Sequence, residues 1–353
     1  MISFIRMIDK YIGNLILFLL PQNKKLNNGK NILIIRLWTL GESLLTLPMI
    51  KKLKEEGYNI NILVTDRSKS VFENVNFIDD IINLKNIFSI IKNLNKYDIA
   101  IDTEPYLKIS SIISWWLSKF SIGWDNRKYS INLKYNDKIH TVNNFCRLIE
   151  PLNIKYEPKE LIPLNYKNEN KIKVNDLIKD IKNQNKKIIG IHAGMAESSP
   201  WRSWKNFPEL INNLNEKYNI ILTGSNEEKK INKSIILTLN NINNISDFSG
   251  NTNLLDLSYL LTQIDLFISN DTGPMHLSAA MKCKTIGLFG PNLPERFGLY
   301  GENNISIYEG KKLGCSPCIN VHKGSFPNCP INGKCMDLIK VNDVLKKIEE
   351  ALS

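Results

Sequence analysis

From Asn31 onward, short apolar runs alternate with stretches in which apolar residues recur every three or four positions. This is the pattern of strands and helices in an α/β chain with parallel sheets. Asn31 to Ile35 reads as a buried strand. It is followed by the turn Arg36 to Gly41 and a helix with Leu45, Met49, Ile50 and Leu53 on one face, stopped at Gly57. Further strands are expected near Ile60 to Val64 and Ile99 to Asp102. A second series runs through Lys187 to His192, Asn219 to Leu222, Ile264 to Ser269 and Thr285 to Phe289. A polar, Lys/Asn-rich stretch from Asn165 to Lys187, with one weak helix in it, separates the two series and is the expected domain boundary. No internal sequence repeat is visible. Two such units are expected to face each other across a cleft, a favoured place for a ligand.

The residues before Asn31 follow another pattern. Phe4, Met7, Ile8, Tyr11, Ile12, Leu15 and Leu19 recur at helical spacing, with Arg6 and Lys10 between them. The apolar run Tyr11 to Leu20 is about half the ~20 residues that span a bilayer, and no small-residue cleavage site follows it. An amphipathic helix lying in a membrane interface is the preferred reading of residues 1–28. A helix packed on the domain body and a signal peptide are the alternatives.

Composition bounds the picture without deciding it. The 353 residues, 43% hydrophobic and 23% charged, suffice for two globular domains. The net charge of +11 comes from lysines scattered along the chain rather than gathered into arginine-aromatic stripes. Nucleic acid is therefore not an expected partner; phosphorylated or lipid-linked anions and an anionic membrane face suit the charge better.

Three strand-to-helix turns carry candidate chemistry. In Asn270-Asp271-Thr272-Gly273-Pro274-Met275-His276, a strand ends and a helix opens with proline at its start. Unpaired N–H groups and the helix dipole make such a start an anion site, with Thr272 and His276 as further donors. Alternatively, Asp271 or Thr272 only caps the helix. Arg36 to Ser43 brings Glu42 to the edge of the first unit, where a carboxylate can take a proton from a hydroxyl or only complement a helix dipole. Gly190 to Trp204 ends with Arg202 between two tryptophans. That guanidinium can neutralise a diphosphate leaving group or stack on an indole. Neither glycine-bearing turn fits the dinucleotide fingerprint or the P-loop. Trp115, Trp116 and Trp124 can line an acceptor groove or fill the core.

Six cysteines are present. Cys146 and Cys283 read as isolated buried thiols, whereas Cys315, Cys318, Cys329 and Cys335 have the count and spacing of a tetrathiolate zinc or iron site. His322 is a weaker candidate ligand. Reduced thiols and disulfides are the other readings, and any metal here would be structural. No pattern demands disulfides, so a reducing cytoplasm is expected.

Together these segments resemble glycosyltransferase family 9, the ADP-heptose:lipopolysaccharide heptosyltransferases, from Asn31 to about Leu352. The most specific match is Asn270 to His276 followed by Leu288-Phe289-Gly290-Pro291. Arg36 to Leu45 before Pro48, Arg202-Ser203-Trp204, Leu222-Thr223-Gly224 and the cysteine loop support it. The resemblance implies a GT-B fold of two Rossmann-like domains, acceptor-binding over residues 29–165 and donor-binding over 166–353. It also implies an inverting transfer that needs no cofactor or metal, from a nucleotide sugar such as ADP-heptose to a lipid-linked or cell-surface glycan, on the inner face of the cytoplasmic membrane. The family usually has aspartate, proposed as base, where this chain has Glu42, and lysine where it has Arg202. Asp271, Thr272, Gly273 and His276 match and inherit donor binding, and Glu227 is the nearest acidic residue for the nucleoside. A sugar-nucleotide epimerase and a non-catalytic nucleotide-sugar-binding module are the competing readings.

Overall fold

The structure is a computed structural model and describes residues 9, 13, 16, 17, 19, 20, 29–125, 128–182, 185–195, 199–302, 304–320, 324, 325 and 327–353. The chain divides into two compact units. One comprises residues 1–158 with 321–325, the other 159–320 with 326–353.

The first unit is built on strands β1 (Asn31–Arg36), β2 (Asn59–Val64), β3 (Asp80–Asn83), β4 (Tyr97–Asp102), β5 (Ser118–Trp124) and β6 (Ile131–Leu133). They pair in parallel in the order β3-β2-β1-β4-β5-β6. The second unit repeats the plan with β7 (Ile188–His192), β8 (Asn219–Leu222), β9 (Ile245–Asp247), β10 (Leu266–Asn270), β11 (Thr285–Phe289) and β12 (Asn304–Tyr308), ordered β12-β11-β10-β7-β8-β9 and again all parallel. Counted within each unit, both orders are 3-2-1-4-5-6, the doubly wound order. In that order, ligand sites form where the winding reverses, beyond the carboxyl ends of the first and fourth strands.

The expected strands are present, but β3, β5, β6, β9 and β12 are additional. Most of these lie at sheet edges and are short or broken by polar residues, so their hydrophobic pattern is weak. The central strands are buried on both faces. Ile189 and Ile191 of β7 point to one layer, with Phe207, Leu210, Val344 and Ile348, while Ile188 points to the other, with Val174, Ile178 and Leu260. The helix Leu40–Glu55 departs from the expected one-sided pattern, since all positions from Gly41 to Ile50 are buried. Its polar residues are satisfied locally: the Ser43 hydroxyl donates to the Thr39 carbonyl (2.8 Å) and that of Thr46 to the Ser43 carbonyl (2.7 Å). Gly57, at φ +79°, lies in the left-handed region and ends the helix as expected.

The expected linker Asn165 to Lys187 belongs to the second unit, and the division falls before it, at Pro158. Its helix, Asn168–Lys182, turns Val174, Ile178 and Ile181 into that unit's core, so a composition that reads as a linker is the solvated face of a packed helix. The amphipathic helix expected over residues 1–28 lies outside the described residues apart from six positions. Of these, Asp9 accepts hydrogen bonds from the N–H groups of Lys108 (3.1 Å) and Ile109 (2.6 Å). It thus caps the helix Lys108–Leu117, whose own N-cap, Leu107, provides no side-chain acceptor. Among the described residues no helix is long and apolar enough to cross a membrane.

Asp256 joins the Asn168–Lys182 helix to the helix Leu254–Leu261. It accepts from Asn170 Nδ2 (2.8 Å), Lys173 Nζ (2.6 Å) and the Asn253 N–H (3.0 Å), completing a capping box with Asn253. Burial pushes the carboxyl up, but Lys173, Asn170 and Asn253 outweigh it and hold it below its ordinary value of 3.8. This contribution to stability is complete above that value and is lost as the pH falls below it. Asp256→Ala is expected to cost roughly 2 kcal/mol in urea denaturation at pH 7, with the gap to wild type narrowing on acidification below pH 4.

Candidate active site

Two polar clusters lie where the two sheets reverse their winding. In the first unit, β1 ends at Arg36 and the neighbouring β4 at Asp102, with Ile35 and Asp102 in register. Arg36 is fully buried. Its Nη2 donates to Glu42 Oε2 at 2.6 Å, and its Nη1 lies 3.6 Å from Glu104 Oε1 and donates to the Thr103 carbonyl at 3.4 Å. Burial pulls the guanidinium down, but Glu104 and Glu42 more than offset it, so its pKa is raised.

The Thr39 hydroxyl also donates to Glu42 Oε2 (3.0 Å). The carboxylate is therefore engaged by Arg36 and by the side chain of the helix N-cap, Thr39, and Glu42 Oε1 is buried without a partner. Behind it, Glu104 Oε1 accepts from the Leu37 (2.6 Å) and Trp38 (3.2 Å) N–H groups. Asp102 accepts from the Tyr129 hydroxyl (2.7 Å) and the Glu104 N–H (2.9 Å), yet burial pushes it up to about 7. Trp124 is core: it is buried, stands edge-on to Tyr135 and donates to the Thr103 carbonyl.

In the second unit, β7 ends at His192 and β10 at Asn270, with Ser269 opposite His192. Asn270 is fully buried and ties three segments together. Its Nδ2 donates to the carbonyls of Ala193 (3.1 Å) and Gly194 (3.4 Å), and its Oδ1 accepts from the Trp204 N–H (3.2 Å). Trp204 is anchored in the core by its indole N–H on the Ile339 carbonyl and an edge contact with Phe207. This fixes the loop that carries Arg202. Arg202 Nη2 then donates to the Asp271 carboxylate (2.7 Å) and carbonyl (2.8 Å), and Asn292 Nδ2 donates to the same carboxylate (3.1 Å).

The helix Gly273–Ala280 begins immediately after this pair, with Pro274 at its second rather than its first position. Thr272 is the N-cap but makes no capping hydrogen bond; its hydroxyl turns to the Asn270 carbonyl (3.3 Å) and to Ser269 Oγ (3.2 Å). Because Asp271 serves Arg202 and Thr272 faces the strand, neither closes the helix start. The helix start thus carries no side-chain cap. His276 is buried in the first turn.

Glu227 is exposed, whereas the adjacent Glu228 faces inward. Its Oε1 lies 3.7 Å from His192 Nε2, and its Oε2 accepts from the Ser225 N–H (2.7 Å). A Cβ on Gly194 would stand 2.0 Å from Glu228 Oε1, so that close approach requires glycine there. Burial lowers the pKa of His192, with Glu228 pulling the other way. The inward carboxylate is thus one residue later than expected. Its signal was the Ser225-x-x-Glu228 spacing, realised as a reciprocal pair in which the Glu228 N–H donates back to Ser225 Oγ (3.3 Å).

The cysteine loop also differs from expectation. All six cysteines are free, and among the described residues no three or more His, Cys, Asp or Glu side chains assemble as a metal site. Cys335 is buried beside Gly290, Cys318 and Cys329 are half-buried and Cys315 is exposed; His322 lies outside the described residues. The thiols are close enough to perturb one another. Burial first, then Cys318 and Cys329, pushes Cys335 up to about 11. Core packing of Cys335 beside Met336 holds one thiol inward while Cys315 faces solvent.

With this geometry in view, the comparisons are specific. Residues 87–325 match the family model described as glycosyltransferase family 9 (heptosyltransferase). The chain belongs to that family. It is 25% identical over 332 residues to lipooligosaccharide heptosyltransferase 2 of Campylobacter jejuni, covering 89% of this chain and 95% of that protein. A family 9 glycosyltransferase from Veillonella parvula superposes with a TM-score of 0.73 at 19% identity, over 93% of this chain and 98% of its own. An Escherichia coli heptosyltransferase solved with ADP does so with a TM-score of 0.65 at 19% identity, over 91% and 99%. The fold is accordingly GT-B, two Rossmann-like domains, and the protein is a glycosyltransferase.

Asn270→Ala strands two carbonyls and an N–H in a buried position. A loss of roughly 2–3 kcal/mol in guanidinium denaturation is expected; a loss under 0.5 kcal/mol would show that the three segments hold without it.

Proposed function

We propose that the chain transfers heptose from ADP-heptose to the core of a lipopolysaccharide-type acceptor, inverting the anomeric centre without a catalytic metal. The observation that carries this reading is the open helix start at Gly273 beside the Arg202–Asp271 pair. It offers backbone N–H groups, the dipole and a preset guanidinium to a diphosphate. The relatives named as heptosyltransferases and the neighbour solved with ADP support heptose and the adenine nucleotide.

Donor binding is assigned to Arg202, Asp271, Thr272, Gly273 and His276. Glu228, in place of the expected Glu227, is the acidic residue assigned to the nucleoside side. Glu42 is the base: its Oε1 takes the proton of the acceptor hydroxyl as that oxygen attacks the anomeric carbon, and the C–O bond to the diphosphate breaks. Arg202 and the helix start receive the negative charge that develops on the leaving group.

Glu42→Gln is expected to lower kcat by 10²-fold or more with little change in donor KM, and Arg202→Ala to raise donor KM and lower kcat together. Both are read by product formation from ADP-heptose and a heptose-deficient core acceptor, with chelator present. Full turnover by Glu42→Gln would remove the base assignment. Epimer formation from donor alone would replace the transferase reading.

We also propose peripheral attachment to the inner face of the cytoplasmic membrane. Phe88, Ile91 and Leu94 are 87%, 56% and 51% exposed, whereas Ile90 packs inward on the core. The stretch from Ile81 to Tyr97 has three lysines and no carboxylate, a combination suited to an anionic lipid surface. Phe88→Ser with Ile91→Ser should reduce flotation with phosphatidylglycerol vesicles while leaving binding to neutral phosphatidylcholine at background. Unchanged flotation would locate any attachment elsewhere.

A further inference from the structure

Arg36 stands between two carboxylates of unequal access. Glu42 offers one oxygen to it at 2.6 Å and keeps the other without a partner. Glu104 approaches at 3.6 Å, is fully buried and likewise has one unpartnered oxygen, Oε2. Glu104 reaches this place because β4 lies beside β1: the residues beyond Asp102 come level with the turn that follows Ile35. Its Oε1 fixes the N–H groups of Leu37 and Trp38, the first two residues of that turn. A neutral amide oxygen would serve those two N–H groups equally, so the turn alone does not explain a carboxyl at this buried position, which burial pushes up and Arg36 pulls back down. Arg36 does explain it.

We propose that Glu104 is a positioning residue for Glu42, sharing the Arg36 guanidinium so that Glu42 is oriented without being neutralised as a base. The inference rests on the reading of Glu42 as the general base. An arginine paired with one carboxylate alone strongly favours its ionised form and makes it a reluctant proton acceptor. A second carboxylate on the same cation weakens that hold, while the Arg36–Glu42 and Thr39–Glu42 hydrogen bonds keep the reactive oxygen in place. The other groups coupled to the cluster are Asp102, on which Glu104 bears, Tyr106, which bears on Arg36, and Tyr135, on which Glu42 bears; the Phe145 ring lies 5.7 Å from Arg36.

The test is the pH profile of kcat for the full-length enzyme with saturating donor and acceptor. In Glu104→Gln, Arg36 turns wholly to Glu42. kcat should fall about tenfold and the acidic limb should move about one pH unit lower, the two being equivalent in free energy, with donor KM unchanged. Glu104→Asp retains the charge one methylene further away and should restore much of the limb's position. A residue that only staples the turn would lower the melting temperature in both variants and leave the limb where it is. A Gln variant with a wild-type limb therefore overturns the proposal. If that variant does not fold, an Asp variant whose acidic limb moves by a full unit although the charge is retained does the same. Glu42→Gln with full activity would instead sink the base assignment, so the two failures are distinguishable.

Discussion

The arrangement rests on a property of parallel sheets. When strands follow the order 3-2-1-4-5-6, the connections leaving the first and fourth strands depart to opposite faces, and a gap opens above their carboxyl ends. Backbone there has no strand to pair with, so the groups at the gap must be satisfied by side chains or by ligands. Both units meet this requirement at the same topological place by different means. The first uses an arginine at the last position of β1 and carboxylates from the neighbouring connection. The second uses an asparagine at the end of β10, whose amide bonds three segments at once. The chemistry assigned to the protein is concentrated at these two places, and elsewhere the structure is largely two-layer packing around buried apolar strands.

The two clusters differ in what they keep in reserve. In the second unit the polar groups are drawn away from the helix start: Asp271 toward Arg202 and Asn292, Thr272 toward the strand. The helix start is thereby left without a side-chain cap. In the first unit the charges are crowded: Asp102 is pushed to about 7 and Glu104 is raised, both chiefly by burial, while Arg36 is raised against its own desolvation. Carboxylates outnumber the buried cation there, a suitable setting for a group that must accept a proton during turnover.

How much of this was legible in the sequence depended on distance along the chain. The Asp271 to His276 turn could be read locally, because Gly273 and Pro274 mark a helix start and Arg202 stands in an equally marked loop. Their contact, 69 residues apart, could be expected only from the family resemblance. Glu42 was visible for the same local reason. Glu104 was not, because nothing in its own neighbourhood marks it, and it matters only once β4 pairs with β1. Glu228 carries a readable spacing with Ser225, but which of Glu227 and Glu228 turns inward is set by the loop rather than by the spacing. The cysteine spacing shows a count of thiols and not their burial, which depends on how Met336 and Cys335 pack. The short strands at the sheet edges lacked the apolar runs that revealed the central ones.

One consequence concerns the beginning of the chain. Asp9 closes the helix Lys108–Leu117, and from Pro105 to Trp124 the sequence contains no other carboxylate that could take its place. That helix packs Ile113 and Leu117 on the same apolar cluster as Leu33 and Ile35, the strand residues leading to Arg36. A recombinant chain shortened to start at Gly29, although it would retain every strand and every assigned active-site residue, would leave two amides at the head of this helix without their acceptor. Through Asp9 the leading segment is thus part of the folding unit of the first domain, and an affinity tag is better placed after Ser353.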